Sequence, residues 1–228
     1  MILAGIVVRA DGRRIEKPGD QLGAEDELRI KGEVLPFVSR GGLKLQGALD
    51  SFAIDPTGWV CLDVGASTGG FTDCLLQRGA AKVFAVDVGY GQIDWKLRQD
   101  PRVVVIERAN IRHLDPAQVT EPCHMMVVDV SFISLRLVLP AAIRFLAPGA
   151  RLVALVKPQF EVGRECIGKG GIVRNPEARA RALSDVERYA QENGFGGLAS
   201  MESPIVGAKG NREYLLTGVW HGTPSGSI

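Results

Sequence analysis

The sequence predicts a doubly wound α/β fold whose mostly parallel sheet has seven strands. Two features predict it: nearly uninterrupted apolar runs rich in β-branched residues, and helical stretches that alternate with these runs after residue 58. Such runs are typical of parallel strands covered on both faces, and repeated strand-helix units wind such a sheet. The predicted strands span residues 59–64, 82–88, 103–107, 125–130, 151–157, 198–205 and 213–219.

Helices fit before and between these strands. The predicted helices span residues 43–52, 72–78, 135–146 and 176–193. Asn175 and Pro176 are a typical cap and first-turn residue for the last of them. No helical stretch separates the last two strands, so we expect an antiparallel hairpin at one edge of the sheet.

The start of the chain differs from the rest. It contains short β-type runs separated by turn residues such as Asp11-Gly12. We expect a small module over residues 1–34, a linker over 35–42, the α/β domain over 43–221 and a disordered Gly/Ser tail over 222–228.

Composition argues against several classes of protein. Lys and Arg number 27 against 26 Asp and Glu, so the net charge of +1 gives the whole chain no general attraction for nucleic acid. The four cysteines are widely separated, which argues against a zinc site or a disulfide framework. The longest apolar stretch, residues 137–156, is broken by arginines and prolines and is too interrupted to span a bilayer. Because the start does not resemble a secretory signal, we expect a cytoplasmic protein that needs neither a membrane nor a metal.

A glycine-rich loop follows the first strand of the predicted α/β domain. The strand ends at Asp63, and the loop runs from Gly65 to Phe71. Ser67 stands where a dinucleotide fingerprint needs glycine, and Phe71 stands where a phosphate-binding loop needs lysine. The remaining pattern, D-x-G-x-x-x-G-G, resembles motif I of class I methyltransferases, which implies a Rossmann-like domain with S-adenosylmethionine as cofactor. A glycine-rich turn of some other α/β enzyme is the alternative. The loop residues expected to bind the cofactor are Gly65, Ser67, Gly69, Gly70 and Phe71.

Polar residues also end successive strands of the predicted sheet, where ligands of open α/β folds bind. Asp63 ends the first strand and is expected to hold the amino group of the cofactor, directly or through water. Asp87 ends the second strand and is placed to accept hydrogen bonds from the ribose hydroxyls. Asn110 follows the third strand and is expected to read the adenine edge.

Four further residues are expected at the same crevice. Lys44 lies in the helix before the first strand, Asp129 and Lys157 end the fourth and fifth strands, and Glu213 opens the last. In this order, the Lys-Asp-Lys-Glu tetrad resembles the catalytic signature of FtsJ-type RNA 2'-O-methyltransferases.

The surrounding sequence resembles one branch of that family over essentially the whole chain. Residues 39–45, 129–134, 156–161 and 210–213 are similar to motifs of the TlyA, or hemolysin A, branch. The resemblance implies methylation of cytidine ribose in small- or large-subunit rRNA, with the tetrad catalytic and Asp129 also close to the cofactor. Ribosomal RNA or ribosomal subunits are the expected partners.

The tetrad residues have different expected roles. A lysine can accept the proton of a ribose 2'-hydroxyl only in its neutral form, which burial or a neighbouring cation favours. We expect Lys157 to be this base, Asp129 to orient it, and Lys44 and Glu213 to position the substrate and the base. Glu161 is a rival carboxylate for the place of Glu213. This chemistry requires no metal.

The first thirty residues resemble the second half of a ribosomal-protein-type RNA-binding module. We expect phosphate contacts from Arg9, Arg13, Arg14, Lys17, Arg40 and Lys169. A solvated turn is the alternative for the first four, and an inert connection is the alternative for the glycine-rich loop that carries Lys169. Phe132 and Phe160 are the only aromatic residues placed for base stacking, and we expect both to pack in the core instead.

Three other functions remain to be weighed. The first is a non-catalytic ribosome-binding or assembly factor that retains the fold, against which the intact tetrad argues. The second is a hemolysin, for which the sequence offers neither an amphipathic helix of sufficient moment nor a spanning stretch. The third is a small-molecule methyltransferase, which the remnant of an RNA-binding module disfavours.

Overall fold

The computed structural model describes residues 7–13, 15, 22–23, 26–30 and 35–222. The chain divides into two compact units, Met1–Pro36 and Phe37–Ile228. In the first unit, β1 (Val7–Arg9) pairs antiparallel with β2 (Leu28–Ile30). From residue 223 onward, the tail expected to be disordered lies outside the described residues.

The second unit is built on a seven-stranded sheet with the order β5-β4-β3-β6-β7-β9-β8. The strands are β3 (Val60–Val64), β4 (Lys82–Val86), β5 (Val103–Ile106), β6 (Cys123–Val128), β7 (Leu146–Val156), β8 (Phe195–Glu202) and β9 (Tyr214–Trp220). Neighbouring strands from β5 to β7 are parallel, whereas β9 runs antiparallel to both β7 and β8. The predicted fold class is confirmed, including the antiparallel pair of strands at one edge.

Alternation along each strand explains why the strand sequences are apolar throughout. Successive side chains point to opposite faces of a sheet. Leu62 therefore packs in a core layer with residues of α4 and α6, whereas Cys61 packs in the other layer with residues of α1 and α2. Both faces are covered, so both kinds of position are apolar. The helices are α1 (Gly41–Ser51), α2 (Gly70–Gln77), α3 (Trp95–Arg98), α4 (Leu135–Ala142), α5 (Pro158–Glu161) and α6 (Pro176–Glu192).

Several element boundaries differ from the prediction. The helix predicted over 135–146 ends at Ala142, a 3₁₀ turn follows, and β7 begins at Leu146 instead of residue 151. Strand β8 spans Phe195–Glu202 instead of 198–205 because buried Phe195 pairs opposite Trp220, although two glycines follow it in the sequence. Helix α3 was not predicted. Asp94 begins this short helix by accepting a hydrogen bond from the backbone N–H of Lys96 at 3.0 Å.

Two features are absent from the described residues. No helix there is both long enough and apolar enough to cross a membrane. In the same ranges, no group of His, Cys, Asp or Glu side chains is arranged to hold a metal ion.

Candidate active site

Two neighbouring cavities open at the carboxyl ends of the parallel strands. One, here called the Lys157 pocket, has a volume of about 450 Å³ and is lined by all four tetrad residues. The other, here called the Asp87 pocket, has a volume of about 440 Å³ and is lined by Asp87 and Asn110. Both cavities share Gly65, Ser67, Asp129 and Ser131 in their walls, so they are two compartments of one groove.

The glycine-rich loop forms the wall between these compartments. Gly65 has a φ of +88°, and a Cβ atom at this position would overlap the backbone oxygen of Asp129. The loop therefore passes against the end of β6 with no room for a side chain. Gly69, with a φ of +92°, begins α2. Gly70 and Phe71 line the Lys157 pocket from the first turn of α2, although the Phe71 side chain is buried.

Asp63 lies behind this loop and lines neither compartment. Its side chain is fully buried, and its Oδ2 accepts a hydrogen bond from the Thr72 hydroxyl at 2.6 Å. Its Oδ1 has no hydrogen-bond partner among the described residues. Burial raises the pKa of Asp63 to about 7, against the opposing effect of the Thr72 hydrogen bond. The structure thus places Asp63 under the start of α2, and its contact with a cofactor stays a prediction.

Asp87 connects two loops at the edge of the Asp87 pocket. Its Oδ2 accepts a hydrogen bond from the backbone N–H of Ser67 at 2.8 Å, and its Oδ1 accepts one from Gly89 at 2.6 Å. Asn110 lines the same pocket and accepts a hydrogen bond from the backbone N–H of Arg112 at 3.1 Å. Both polar side chains are therefore held at the positions where the sequence predicted a nucleoside to bind.

The tetrad forms two ion pairs in the Lys157 pocket. Lys157 Nζ lies 2.6 Å from Asp129 Oδ1, and Lys44 Nζ lies 2.6 Å from Glu213 Oε2. Lys157 also donates a hydrogen bond to Ser131 Oγ at 3.0 Å. Sequence reasoning missed Ser131, although its position two residues after a strand-end carboxylate was a usable signal. Each lysine of the tetrad is thus oriented by its own carboxylate.

The rival carboxylate, Glu161, points away from this pocket. Its side chain accepts hydrogen bonds from the Ser134 hydroxyl at 2.6 Å and from the backbone N–H of Leu135 at 2.8 Å. Burial raises the pKa of Glu161, and the Ser134 hydrogen bond opposes this rise. Of the two carboxylates considered for the tetrad, Glu213 lines the Lys157 pocket and Glu161 lines neither compartment.

Phe132 corrects one prediction: its side chain is 91% exposed rather than packed in the core. Its backbone has a φ of +64°, in the turn between β6 and α4, and it lines the rim of the Asp87 pocket. Phe160 is partly buried, and the centroids of the two rings are 5.2 Å apart. The sequence was misleading because Phe132 stands between the apolar residues Val130 and Ile133.

The residues predicted to contact RNA are divided between the two units. In the first unit, Arg9 is paired with Asp26 at 2.9 Å and Arg13 is exposed. Arg14 and Lys17 lie outside the described residues.

In the second unit, exposed Arg40 lines the Lys157 pocket, and Lys169 is exposed in the loop of residues 164–174. Asn211 fastens the far end of this loop, because its side chain bonds the backbone of Gly171 at 2.9 Å and that of Val173 at 3.1 Å.

A glycine-rich loop at the carboxyl edge of a doubly wound sheet, beside strand-end polar residues, defines a Rossmann-like α/β enzyme domain. The sequence model of the FtsJ-like methyltransferase family matches residues 37–219. The chain belongs to this family.

Three relatives cover most of the chain. The rRNA methyltransferase candidate YqxC of Bacillus subtilis is 49% identical over 222 residues, which are 97% of this chain and 79% of that protein. The 16S/23S rRNA (cytidine-2'-O)-methyltransferase TlyA of Mycobacterium tuberculosis is 50% identical over 210 residues, 92% of this chain and 78% of that protein. The solved structure of a candidate hemolysin from Streptococcus thermophilus is 47% identical, with a TM-score of 0.81 and coverage of 98% of this chain and 82% of that one.

Proposed function

We propose that the protein is an S-adenosylmethionine-dependent rRNA 2'-O-ribose methyltransferase with Lys157 as its general base. The observation that carries this proposal is the Lys157 pocket, where the four tetrad side chains meet beside the Asp87 pocket. Family membership and the relative named as an rRNA cytidine-2'-O-methyltransferase support a cytidine ribose as the target. An rRNA substrate implies a cytoplasmic site of action.

The Asp87 pocket suits the nucleoside part of the cofactor. Its volume of about 440 Å³ lies in the usual range for small-molecule sites. The Asp87 carboxylate can accept hydrogen bonds that ribose hydroxyls donate, and the Asn110 amide carries both the donor and the acceptor that an adenine edge requires. Because Gly65 has no side chain, the cofactor can pass from this pocket toward Lys157. When bound, S-adenosylmethionine supplies an electrophilic methyl group on its sulfonium.

The Lys157 pocket supplies the groups that activate the nucleophile. A bound S-adenosylmethionine would supply the methyl group that the ribose 2'-oxygen takes, and Lys157 would accept the hydroxyl proton on its amine. Asp129 and Ser131 hold this amine from two sides at 2.6 and 3.0 Å. Lys44 is held by Glu213 in the same pocket, which supports a role for Lys44 in contacting the target nucleotide.

Exposed residues around the groove suit an RNA substrate. Phe132 presents an almost fully exposed ring at the rim, and aromatic rings of this kind stack on unpaired bases. Arg40 and Lys169 are exposed cations of the same unit and are proposed as phosphate contacts. We also propose the first unit, with Arg9 and Arg13, as a second RNA-binding element.

The experiment measures transfer of a tritiated methyl group from the cofactor to separated ribosomal subunits, followed by mapping of the labelled ribose. Lys157→Ala is expected to lower kcat by at least about 100-fold, the usual contribution of a general base, with little change in the affinity for S-adenosylhomocysteine. Lys82→Ala is the matched control, because Lys82 also forms a lysine-carboxylate pair, with Glu121 at 2.7 Å, but lies at the amino end of β4.

Three outcomes would overturn the proposal. Full turnover by Lys157→Ala would remove Lys157 from the role of base. Binding of the wild-type protein to subunits without methyl transfer would favour an assembly factor. Lysis of erythrocytes by the purified protein, without rRNA methylation, would favour the activity suggested by the name of the Streptococcus thermophilus relative.

A further inference from the structure

The buried carboxylate of Glu161 joins the two segments that carry the proposed base and its partner. Asp129 and Ser131 belong to the segment between β6 and α4, whereas Lys157 immediately precedes α5. Glu161 is the last residue of α5, one helical turn after Lys157. Because Glu161 and Lys157 lie in the same short turn, the position of the Glu161 carboxylate is coupled to that of the Lys157 amine.

Glu161 has no oxygen left over for chemistry in the groove. Its Oε2 accepts the hydroxyl of Ser134 at 2.6 Å, and its Oε1 accepts the backbone N–H of Leu135 at 2.8 Å. Ser134 and Leu135 are the cap and the first residue of α4, where backbone N–H groups lack partners within the helix. A carboxylate at a helix N-terminus is also favoured by the helix dipole. The contact thus fixes the end of the segment that begins at Asp129.

Two further contacts connect the same segments. Lys157 bonds Asp129 and Ser131 at one end, and the rings of Phe132 and Phe160 are neighbours in the middle. The hydrogen bonds of Glu161 close the other end. Among these links between described residues, only that of Glu161 with Ser134 and Leu135 is built entirely from residues that line neither compartment of the groove.

We propose that Glu161 is a positioning residue, which holds the segment after β6 against the turn after β7 and thereby sets the Lys157 amine between Asp129 and Ser131. The consequence for turnover rests on the proposed function, because it matters only if Lys157 accepts a proton. The anchoring of the two segments by Glu161 does not depend on the proposed function. A misplacement of about 1 Å in a reacting group can reduce a rate by about 100-fold.

The decisive comparison is between Glu161→Gln and Glu161→Ala. Glutamine can still accept the Leu135 N–H through its oxygen and can donate its amide N–H to Ser134, because a hydroxyl both donates and accepts. Glu161→Gln is therefore expected to keep kcat within about threefold of the wild type, whereas Glu161→Ala is expected to lose about 10- to 100-fold in kcat with an unchanged KM for the cofactor. Glu165→Ala, a nearby exposed carboxylate, is the control and is expected to match the wild type.

A second variant tests the link from its other end. Ser134→Ala removes the hydroxyl that Glu161 binds, so its loss in kcat should be smaller than that of Glu161→Ala, and the two losses should not multiply in the double variant. This measurement keeps the proposal testable if Glu161→Ala folds poorly. Losses in kcat that multiply in the double variant would overturn the proposal. A Glu161→Gln variant as inactive as Glu161→Ala would also overturn it, because that result would indicate a role for the charge in catalysis.

Hydrogen exchange measures the anchoring without any turnover. The amide of Leu135 is expected to exchange about tenfold faster in Glu161→Ala than in the wild type, and at a nearly unchanged rate in Glu161→Gln. Unchanged exchange in Glu161→Ala would refute the anchoring. A wild-type protein that does not methylate rRNA, combined with the expected exchange rates, would instead refute the proposed function and leave the anchoring supported.

Discussion

The ion pair between Lys44 and Glu213 makes a strong prediction about stability. Their side chains are only 12% and 3% exposed, and their charged atoms are 2.6 Å apart. Removing one partner leaves the other charge buried without compensation, which typically costs about 3 to 5 kcal/mol. Removing both leaves no buried charge, and such replacements are often close to neutral. We therefore expect Lys44→Met and Glu213→Gln each to destabilise the fold strongly and the double variant to be close to the wild type.

The assay is urea unfolding of the wild type, the two single variants and the double variant, followed by circular dichroism. Because the two single losses of about 3 kcal/mol or more each disappear in the double variant, the coupling free energy from this cycle is expected to be about 6 kcal/mol or more. The control is the same cycle on Arg188 and Asp185, whose side chains are 68% and 47% exposed at a separation of 2.8 Å. Exposed pairs of this kind contribute about 0.2 to 1 kcal/mol.

A coupling below about 1 kcal/mol for Lys44 and Glu213, similar to that of the exposed pair, would refute the reasoning. It would mean that water reaches the pair in solution. The double variant also separates stability from function. It is expected to unfold at nearly the wild-type urea concentration and yet to lack methyl transfer, because both side chains line the Lys157 pocket.

Two further predictions concern the glycine-rich loop and the carboxylate behind it. Gly65→Ala is expected to weaken binding of S-adenosylhomocysteine, measured by calorimetry, far more than Gly58→Ala, because both have positive φ but only a Cβ at Gly65 meets the Asp129 backbone. Equal affinities would contradict this. Burial raises the pKa of Asp63 from 3.8 to about 7, so the folded state keeps a proton that the unfolded state has lost, and the wild type loses stability as pH rises from about 4 to 7. Asp63→Asn should lack this loss in thermal unfolding between about pH 4 and 7, and parallel curves for both proteins would contradict the assignment.

The convergence of the strand-end residues could be predicted from the sequence alone. Asp87, Asn110, Asp129 and Lys157 each follow an apolar run, and the carboxyl ends of parallel strands necessarily meet at one edge of the sheet. This conclusion survives errors of a few residues in the strand boundaries. It does not depend on how the helices pack.

Depth and side-chain direction could not be predicted in the same way. Asp63 has the same sequence context as Asp87, but α2 packs over it and Thr72 binds its carboxylate, so it is fully buried. The apolar neighbours of Phe132 in the sequence predict a core residue, but its left-handed backbone conformation directs the side chain to the surface. Both outcomes depend on local backbone angles and helix placement, which hydrophobic patterns do not encode.

The meeting of Lys157 and Glu213 in one pocket has a topological cause. Strand β9 runs antiparallel beside β7, and Val156 pairs with Tyr214, so the residue that follows β7 and the residue that precedes β9 are the next pair in register. In a parallel arrangement, the residue before the strand would lie at the opposite edge of the sheet. The antiparallel strand therefore brings a carboxylate from the end of the chain to the edge where the parallel strands place Asp129 and Lys157. Because a slip of one residue reverses the direction of side chains along a strand, the tetrad depends on the register of β7 and β9 as much as on the identity of its residues.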